Sequence, residues 1–338
     1  MLADTSSSSS SRLTLSGQNF GPDAHIVVIG AGVMGPGIAH TFAMHGYRVT
    51  LCDVQDAMLQ KGMASLKESL ELRANLGLCT REQAADALSR VSASPMTPNA
   101  YADATLVIEA VTENENIKRT VFAEVFEACG PRTVIWSNTS TLNVFKLVEP
   151  DVLDRLVVAH WFAPPHILPL VEVLGPEDSN SPVRDETASI LKSLGKTPVL
   201  LDSFAPGFVI NRLLRALGRE AFYLIESGVI SVEALDVAVR ASLAPRMQIL
   251  GVMQRYDYTG LGLSLRNLQD PAMVDAPVDR APRLLTERVE QGAVGIAEGR
   301  GFYDYGNRTP GELQEARDEE LWKVVNSMPE HIFDPKPI

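Results

Sequence analysis

Ile26-Val27-Val28-Ile29-Gly30-Ala31-Gly32-Val33-Met34-Gly35 runs from a β-branched strand into a turn with glycine at its first, third and sixth positions. A G-x-G-x-x-G turn by itself is common. Here a helical stretch follows (Ile38, Ala39, Phe42, Ala43), then a second strand from Tyr47 to Cys52 that ends in Asp53. The whole is one βαβ unit with an acidic residue eighteen positions after the third glycine, the pattern of a dinucleotide site. Gly30 permits the tight turn, Gly32 lets the backbone approach a pyrophosphate, and Gly35 lets helix and strand pack closely. Val33 and Met34 complete the turn, and the helix N-terminus behind them offers unpaired N–H groups to phosphate. Asp53 is expected to accept hydrogen bonds from the adenosine ribose and to repel a 2′-phosphate. Val54 supplies no arginine to offset that charge, so NAD is expected rather than NADP.

The rest of the chain agrees with a soluble α/β protein. Its 338 residues are 45% hydrophobic and the mean hydropathy is near zero, which suits one or two domains with a substantial core. A net charge of −12 and the lack of a basic stripe argue against a nucleic-acid partner. No run is long enough to span a membrane. Cys52, Cys79 and Cys129 are odd in number and far apart. They fit neither a disulfide framework nor a metal site, so a reducing, cytosolic compartment is expected and no metal.

Residues 1–24, with six consecutive serines from Ser6 to Ser11, read as a flexible tail. Residues 25–203 alternate strand and helix and read as an NAD-binding, Rossmann-type doubly wound sheet. The spacing predicts helices from Ala57 to Leu76, from Thr80 to Leu88 (capped by Thr80 and Gln83) and from about Ile117 to Cys129. It predicts strands at Leu106–Glu109, Thr133–Trp136, Leu156–Ala159 and Val171–Val173. After Asp202-Ser203-Phe204-Ala205-Pro206-Gly207 the pattern turns helical, so 204–328 reads as an all-helical C-terminal domain. Such a domain can wall a substrate cleft and offer a dimer surface. A final helix is expected over Glu312–Val325 after a Pro310-Gly311 turn, and 329–338 as a second tail.

Oxidising a secondary alcohol needs a base, and reducing the ketone needs the same group as an acid. Histidine serves both near neutral pH. His160 follows a strand, and Glu172 lies in the next apolar run, where an unpaired charge is expensive. A carboxylate on the far imidazole nitrogen would fix the tautomer, so the two are read as a pair. His166 is a weaker candidate.

With these motifs in view the chain resembles the 3-hydroxyacyl-CoA dehydrogenase family from Ile26 to about Tyr305. The matching stretches are Gly30–Gly35 with Asp53, Val107–Glu113, Ser137–Thr141, His160 with Glu172, Pro206–Arg212 and Gly301–Tyr305. The resemblance implies NAD as cofactor, a place in fatty acid metabolism and a homodimer formed through the helical domain. It implies that Ala110, Val111, Glu113 and Lys118 line the cofactor towards the ribose and nicotinamide, with Asn138 near the nicotinamide. Ser140 would bond the substrate oxygen, His160 would be the acid/base, Glu172 its partner, and Asn211 would complete the site. Ser140 as a turn residue and Asn211 as a packing amide are the plainer alternatives.

Three departures bear on the substrate. Ala163 stands where the family has asparagine. Ser69 fits the family's serine on the helical hairpin, but Leu76 falls near its CoA-binding lysine, and Arg73 is the available substitute. Glu298 occupies a stretch that is often basic. These changes, with Pro164-Pro165-His166, lean towards relatives that act on free hydroxy acids or other small hydroxy compounds, such as the gulonate and carnitine dehydrogenases. Arg246 is then either a partner for a substrate carboxylate or a surface residue. The expected function is interconversion of a 3-hydroxyacyl compound, of CoA type or free, with its 3-keto form. A fold-retaining protein with NAD and little catalysis is the competing reading.

Overall fold

A computed structural model describes residues 13–177, 182–329 and 333. The chain divides into two compact units, Met1–Phe208 and Val209–Ile338.

The first unit is built on an eight-stranded sheet. Its strands are β3 (His25–Ile29), β4 (Arg48–Asp53), β5 (Val91–Pro95), β6 (Leu106–Glu109), β7 (Val134–Ser137), β8 (Leu156–Trp161), β9 (Leu170–Leu174) and β10 (Thr197–Leu200). Two short strands, β1 (Thr14–Leu15) and β2 (Gln18–Asn19), form a separate hairpin. The sheet order is β10-β9-β8-β7-β6-β3-β4-β5. Pairing is parallel except between β8 and β9. The order reverses at β3, which lies between β4 and β6, and open α/β sheets bind ligands at such a switch point.

Helices cover both faces, which explains why β3 is buried along its whole length and apolar from Ile26 to Ile29. Ile26 and Val28 face one core with α1 (Gly35–Met44), α2 (Asp56–Asn75), α3 (Arg81–Ser89) and α6 (Val183–Ser193). Val27 and Ile29 face the other, with α4 (Pro98–Tyr101) and α5 (Glu115–Ala128). The capping box expected at Thr80 and Gln83 is present at the start of α3.

Glycine at the switch point is a steric requirement. A Cβ on Gly35 would lie 1.8 Å from the Gly30 carbonyl oxygen, and one on Gly30 would lie 2.4 Å from that of Ala110. Gly35→Ala is therefore expected to lower stability by about 1–3 kcal/mol or more. It should also weaken NAD binding, because the turn must open to admit the methyl group. Thermal unfolding with and without NAD checks this; an unchanged melting curve in both would refute it.

The expectation of a flexible tail over 1–24 needs correction from residue 13 onward; residues 1–12 lie outside the described residues. Leu15 and Phe20 are buried in the first core, and the Phe20 ring packs at 5.2 Å from Tyr47. Glu186 on α6 accepts bonds from the Thr14 hydroxyl (2.7 Å) and the Ser16 amide (2.8 Å). The hairpin is held because two large apolar side chains close a gap in the core.

The second unit is helical: α7 (Ile210–Glu226), α8 (Val232–Ala238), α9 (Ala244–Leu250), α10 (Met253–Thr259), α11 (Leu261–Leu268), α12 (Arg283–Glu290) and α13 (Pro310–Ser327). A π-helical segment, Val239–Leu243, joins α8 to α9. Glu220 and Glu226 on α7 accept the amides of Ala276 and Leu284, and Tyr303 donates to Asp236 at 2.6 Å, tying the segment after α11 to the first two helices. Pro310 and Gly311 do not precede the last helix; they form its first turn. Thr309 caps it reciprocally with Glu312, and proline there loses an N–H that has no helical partner anyway. Most of the second tail, residues 330–332 and 334–338, lies outside the described residues.

Candidate active site

Asp53, at the end of β4, accepts two backbone N–H groups: Ala31 on Oδ2 at 2.8 Å and Gln55 on Oδ1 at 3.0 Å. The acid thus clamps the glycine turn to the neighbouring strand. The turn borders a cavity of about 510 Å³ that Gly30, Gly32, Val33, Met34, Asp53, Ala110 and Val111 help to line. A Cβ built on Gly32 would meet nothing within 4 Å, so the space beside that backbone is open to a phosphate. Met58, Met96 and Ile117 add an apolar wall that the sequence pattern does not reveal, since Met96 arrives from the end of β5, where its amide bonds the Asp53 carbonyl. These residues fit a dinucleotide. Among the described residues no cluster of histidine, cysteine or carboxylate could hold a metal ion.

His160 and Glu172 meet because of strand register. β9 reverses direction against β8, and the pairing sets His160 directly opposite Glu172. Opposite residues point to the same face and lie within side-chain reach. His160 Nδ1 is 2.8 Å from Glu172 Oε2, and the residues are 5% and 1% exposed. An ionised carboxylate can only accept, so Nδ1 carries a proton and Nε2 is the nitrogen that can exchange one. The rings of Phe162 and Phe208 flank the imidazole at 4.5 and 5.5 Å. Phe208 is held there by a turn with φ +46°, unusual outside glycine. The Gly207 amide ties that turn to the Ser140 carbonyl at 3.1 Å.

The loop after β7 carries Asn138 and Ser140. Asn138 donates its amide to the Glu109 carbonyl (2.8 Å), and its side-chain oxygen accepts the Trp161 amide (2.8 Å). It links β6, β7 and β8. Ser140, half-buried, donates its amide to Glu113 Oε1 at 2.9 Å. The same oxygen collects Thr139 Oγ1 (2.8 Å), Thr141 N (2.7 Å), Thr141 Oγ1 (2.8 Å) and, more weakly, Ser140 Oγ (3.3 Å). Glu113 therefore acts as the hub of this loop.

Behind Glu113 lies an ion triad that the sequence does not announce. Lys118 Nζ sits 2.6 Å from Glu109 Oε1 and 3.3 Å from Glu113 Oε2. Glu109 also accepts Ser137 Oγ (2.5 Å) and the Val111 amide (2.9 Å). Glu109 and Lys118 are both fully buried. The Lys118 ammonium serves these two glutamates. Glu109 is the residue that sequence reasoning missed; the only available signal is a charged residue closing an apolar strand.

Partial burial pushes the Glu113 carboxyl up, but Lys118 and the Thr139 and Thr141 donors outweigh it and hold the pKa at about 2. The unfolded value is 4.5, so the stabilisation is complete above pH 4.5 and is lost as pH falls towards 2. Glu113→Gln is expected to cost on the order of 2–3 kcal/mol at neutral pH, less some solvent screening. The gap between wild type and variant should close near pH 2. Urea unfolding across that range checks it; a gap independent of pH would contradict the assignment.

The expected substrate residues are less uniform. Ala163 is exposed beside the dyad loop. Ser69 is turned inward: it donates to the Leu66 carbonyl (2.8 Å) and accepts from His40 Nδ1 (2.8 Å), packing α2 on α1. Leu76 is the C-cap of α2, and Arg73 bonds Cys79. Asn211 is the second residue of α7, in the second unit. Arg246, also there, folds back to Ser242 in the π-helical segment before its helix (3.1 and 3.0 Å).

The family described as 3-hydroxyacyl-CoA dehydrogenase, NAD binding domain, matches residues 25–204, and the C-terminal domain of the same name matches 207–305. A 3-hydroxybutyryl-CoA dehydrogenase of Bradyrhizobium diazoefficiens is 33% identical over 286 residues, 84% of this chain and 96% of that protein. The 5-formyl-3-hydroxy-2-methylpyridine 4-carboxylate 5-dehydrogenase of Mesorhizobium japonicum is 32% identical over 304 residues, 89% of this chain and 96% of that protein. A solved structure of such a 5-dehydrogenase, described as an NAD+-dependent dismutase, aligns with TM-score 0.80 at 29% identity, covering 93% of this chain and 99% of that one. The (S)-3-hydroxybutyryl-CoA dehydrogenase of Ralstonia eutropha aligns with TM-score 0.66 at 28% identity, covering 84% and 100%.

Proposed function

This chain belongs to the 3-hydroxyacyl-CoA dehydrogenase family, and on that footing we propose that it interconverts a 3-hydroxyacyl compound and its 3-keto form with His160 as acid and base. It is an NAD-dependent oxidoreductase acting on CH–OH. The observation that carries the proposal is the buried His160–Glu172 pair at 2.8 Å. In oxidation, His160 Nε2 takes the hydroxyl proton; in reduction it returns a proton to the same oxygen. Glu172 keeps Nδ1 protonated and stabilises the imidazolium. Ser140 Oγ, weakly held by Glu113, turns to the substrate oxygen. When bound, NAD supplies the hydride acceptor, and Asn138 with the Glu113–Lys118 network shapes its nicotinamide end.

One second reading has specific support. The relative named for a free pyridine carboxylate aligns over more of this chain, and more closely, than the CoA enzyme does. Ala163 and Leu76 also lack the polar groups the family offers a thioester. The test is NADH oxidation with acetoacetyl-CoA beside free 3-keto acids. Turnover of the thioester alone supports the CoA reading; turnover of the free acids alone supports the second. Turnover of neither, with NADH bound, refutes both. Ala163→Asn restores an amide worth about 1–3 kcal/mol. It is expected to raise kcat/KM on acetoacetyl-CoA roughly ten- to a hundredfold; an unchanged value would show that residue 163 does not select the substrate.

The reading includes a homodimer. Leu213, Leu214 and Leu217 on α7 remain 44–58% exposed, and Leu261, Leu265 and Leu268 on α11 remain 56–75% exposed. Apolar faces of that kind favour a protein cover, and light scattering on the purified chain tests for it. A cytosolic setting rests on three unpaired cysteines, of which Cys52 and Cys129 are buried.

A further inference from the structure

The connection from β8 to β9, residues 162–169, contains Pro164, Pro165 and Pro169. Prolines have no N–H, so this loop is short of donors for its own carbonyls. Ile167 and Leu168 both donate to the Pro164 carbonyl (3.1 and 3.0 Å), and Thr197 donates to that of Pro169 (2.8 Å). The carbonyls of Pro165 and Leu168 each receive the ammonium of Lys196, at 2.6 and 3.0 Å.

Lys196 lies just before β10 and is 8% exposed. Its Nζ stands 5.3 Å from the centroid of the Trp161 ring. Lysine is seldom buried without a paired carboxylate, and among the described residues no carboxylate acts on this one. His40 on α1 and Arg73 on α2 interact with it electrostatically, and His40 in turn bonds Ser69 on α2 and stacks at 4.8 Å on His166 of the loop. An ammonium supplies three donors from one atom, which suits two carbonyls that approach one point. The loop is equally tight on its other side. A Cβ on Gly37 would lie 2.6 Å from Pro165 Cγ and 3.0 Å from His166 Nδ1.

What this loop joins gives the lysine its meaning. His160 is next to the last residue of β8, and Glu172 is the third of β9. We propose that Lys196 is a positioning residue of the reaction, pinning the β8–β9 loop through the Pro165 and Leu168 carbonyls and so fixing His160 against Glu172 and setting Ala163 in place. The inference rests on His160 being the acid/base.

A second feature follows from the same burial. Burial, and then the Arg73 charge, pull the Lys196 pKa down from 10.5 to about 7. Between about pH 7 and 10.5 the unfolded lysine holds a proton that the folded one has released, so stability rises with pH across that window. The folded lysine gives up its proton around pH 7, and there the clamp exchanges charge-assisted bonds for weaker amine bonds.

The test is Lys196→Met in the full chain, which keeps the volume and removes the donors. Expected are faster backbone hydrogen exchange confined to residues 162–170, an altered NMR titration of the His160 ring, and NADH affinity within about twofold. With whichever ketone the wild type reduces, kcat should fall roughly ten- to a hundredfold, with KM little changed and partial rescue by Lys196→Arg. Unchanged exchange in the loop overturns the proposal. So does faster exchange with an unaltered His160 titration, which would make Lys196 structural only. The exchange and titration arms need no substrate, so a wild type that reduces neither ketone would refute the proposed function without removing this test.

Discussion

Replacing His160 with alanine is expected to reduce turnover about 10²–10⁴-fold while leaving NADH binding intact. The separation follows from the sheet. The cofactor cavity is built at the β3–β4–β6 side, from the glycine turn, Asp53 and Ala110–Val111. His160 stands two strands beyond β6, on β8, paired with Glu172 on β9. Removing the imidazole deletes the proposed acid/base and touches none of the residues that border the cavity. It also leaves Glu172 buried beside a void, so some loss of stability accompanies the loss of turnover. Steady-state rates and NADH fluorescence titration, on protein shown to be folded, check both halves. Turnover within a few-fold of wild type would remove His160 from the mechanism.

Lys118→Met is expected to be among the most destabilising single changes in the first unit, at about 3–5 kcal/mol. Lys118 is fully buried, and Glu109 with it. Without the ammonium, Glu109 keeps only Ser137 Oγ and the Val111 amide, and Glu113 loses its charge partner. A buried carboxylate with no counter-ion must take up a proton or admit water. The consequence reaches the site, since Glu113 holds the amides of Ser140 and Thr141. A lowered denaturation midpoint should come with reduced activity under conditions where the variant is still folded. The double change Glu109→Gln with Lys118→Met should recover part of the stability, because it removes the stranded charge. A single variant as stable as wild type would show that the triad is not a structural element.

What the sequence discloses here is what depends on neighbours along the chain. The Gly30–Gly35 turn, the Thr80–Gln83 capping box and the amphipathic hairpin of α2 and α3 are local, and their residues state their reasons. That His160 and Glu172 pair is expected from the sequence. The register that sets them opposite one another inside β8 and β9 is not legible, because it depends on β9 reversing direction in a sheet that is otherwise parallel up to β8. The Glu109–Lys118–Glu113 triad joins the end of one strand to a helix and a loop, and no periodicity marks such a junction. Leu15 and Phe20 are hidden for another reason: a serine-rich start dominates the reading of that segment, although two apolar side chains suffice to dock it. Lys196 looks like any polar residue before a strand until the donor shortage of a proline-rich loop is seen beside it.

In the proposed reaction, reducing equivalents pass between NAD and the carbon bearing the oxygen, with His160 managing the proton. The most direct measurement is product mass after reduction of acetoacetyl-CoA or a free 3-keto acid with NADH deuterated at the transferring position. One deuterium is expected on the new hydroxyl-bearing carbon with wild type, and product formation suppressed in His160→Ala. Product that carries no deuterium from either cofactor face, or deuterated product formed as fast by His160→Ala as by wild type, would contradict it.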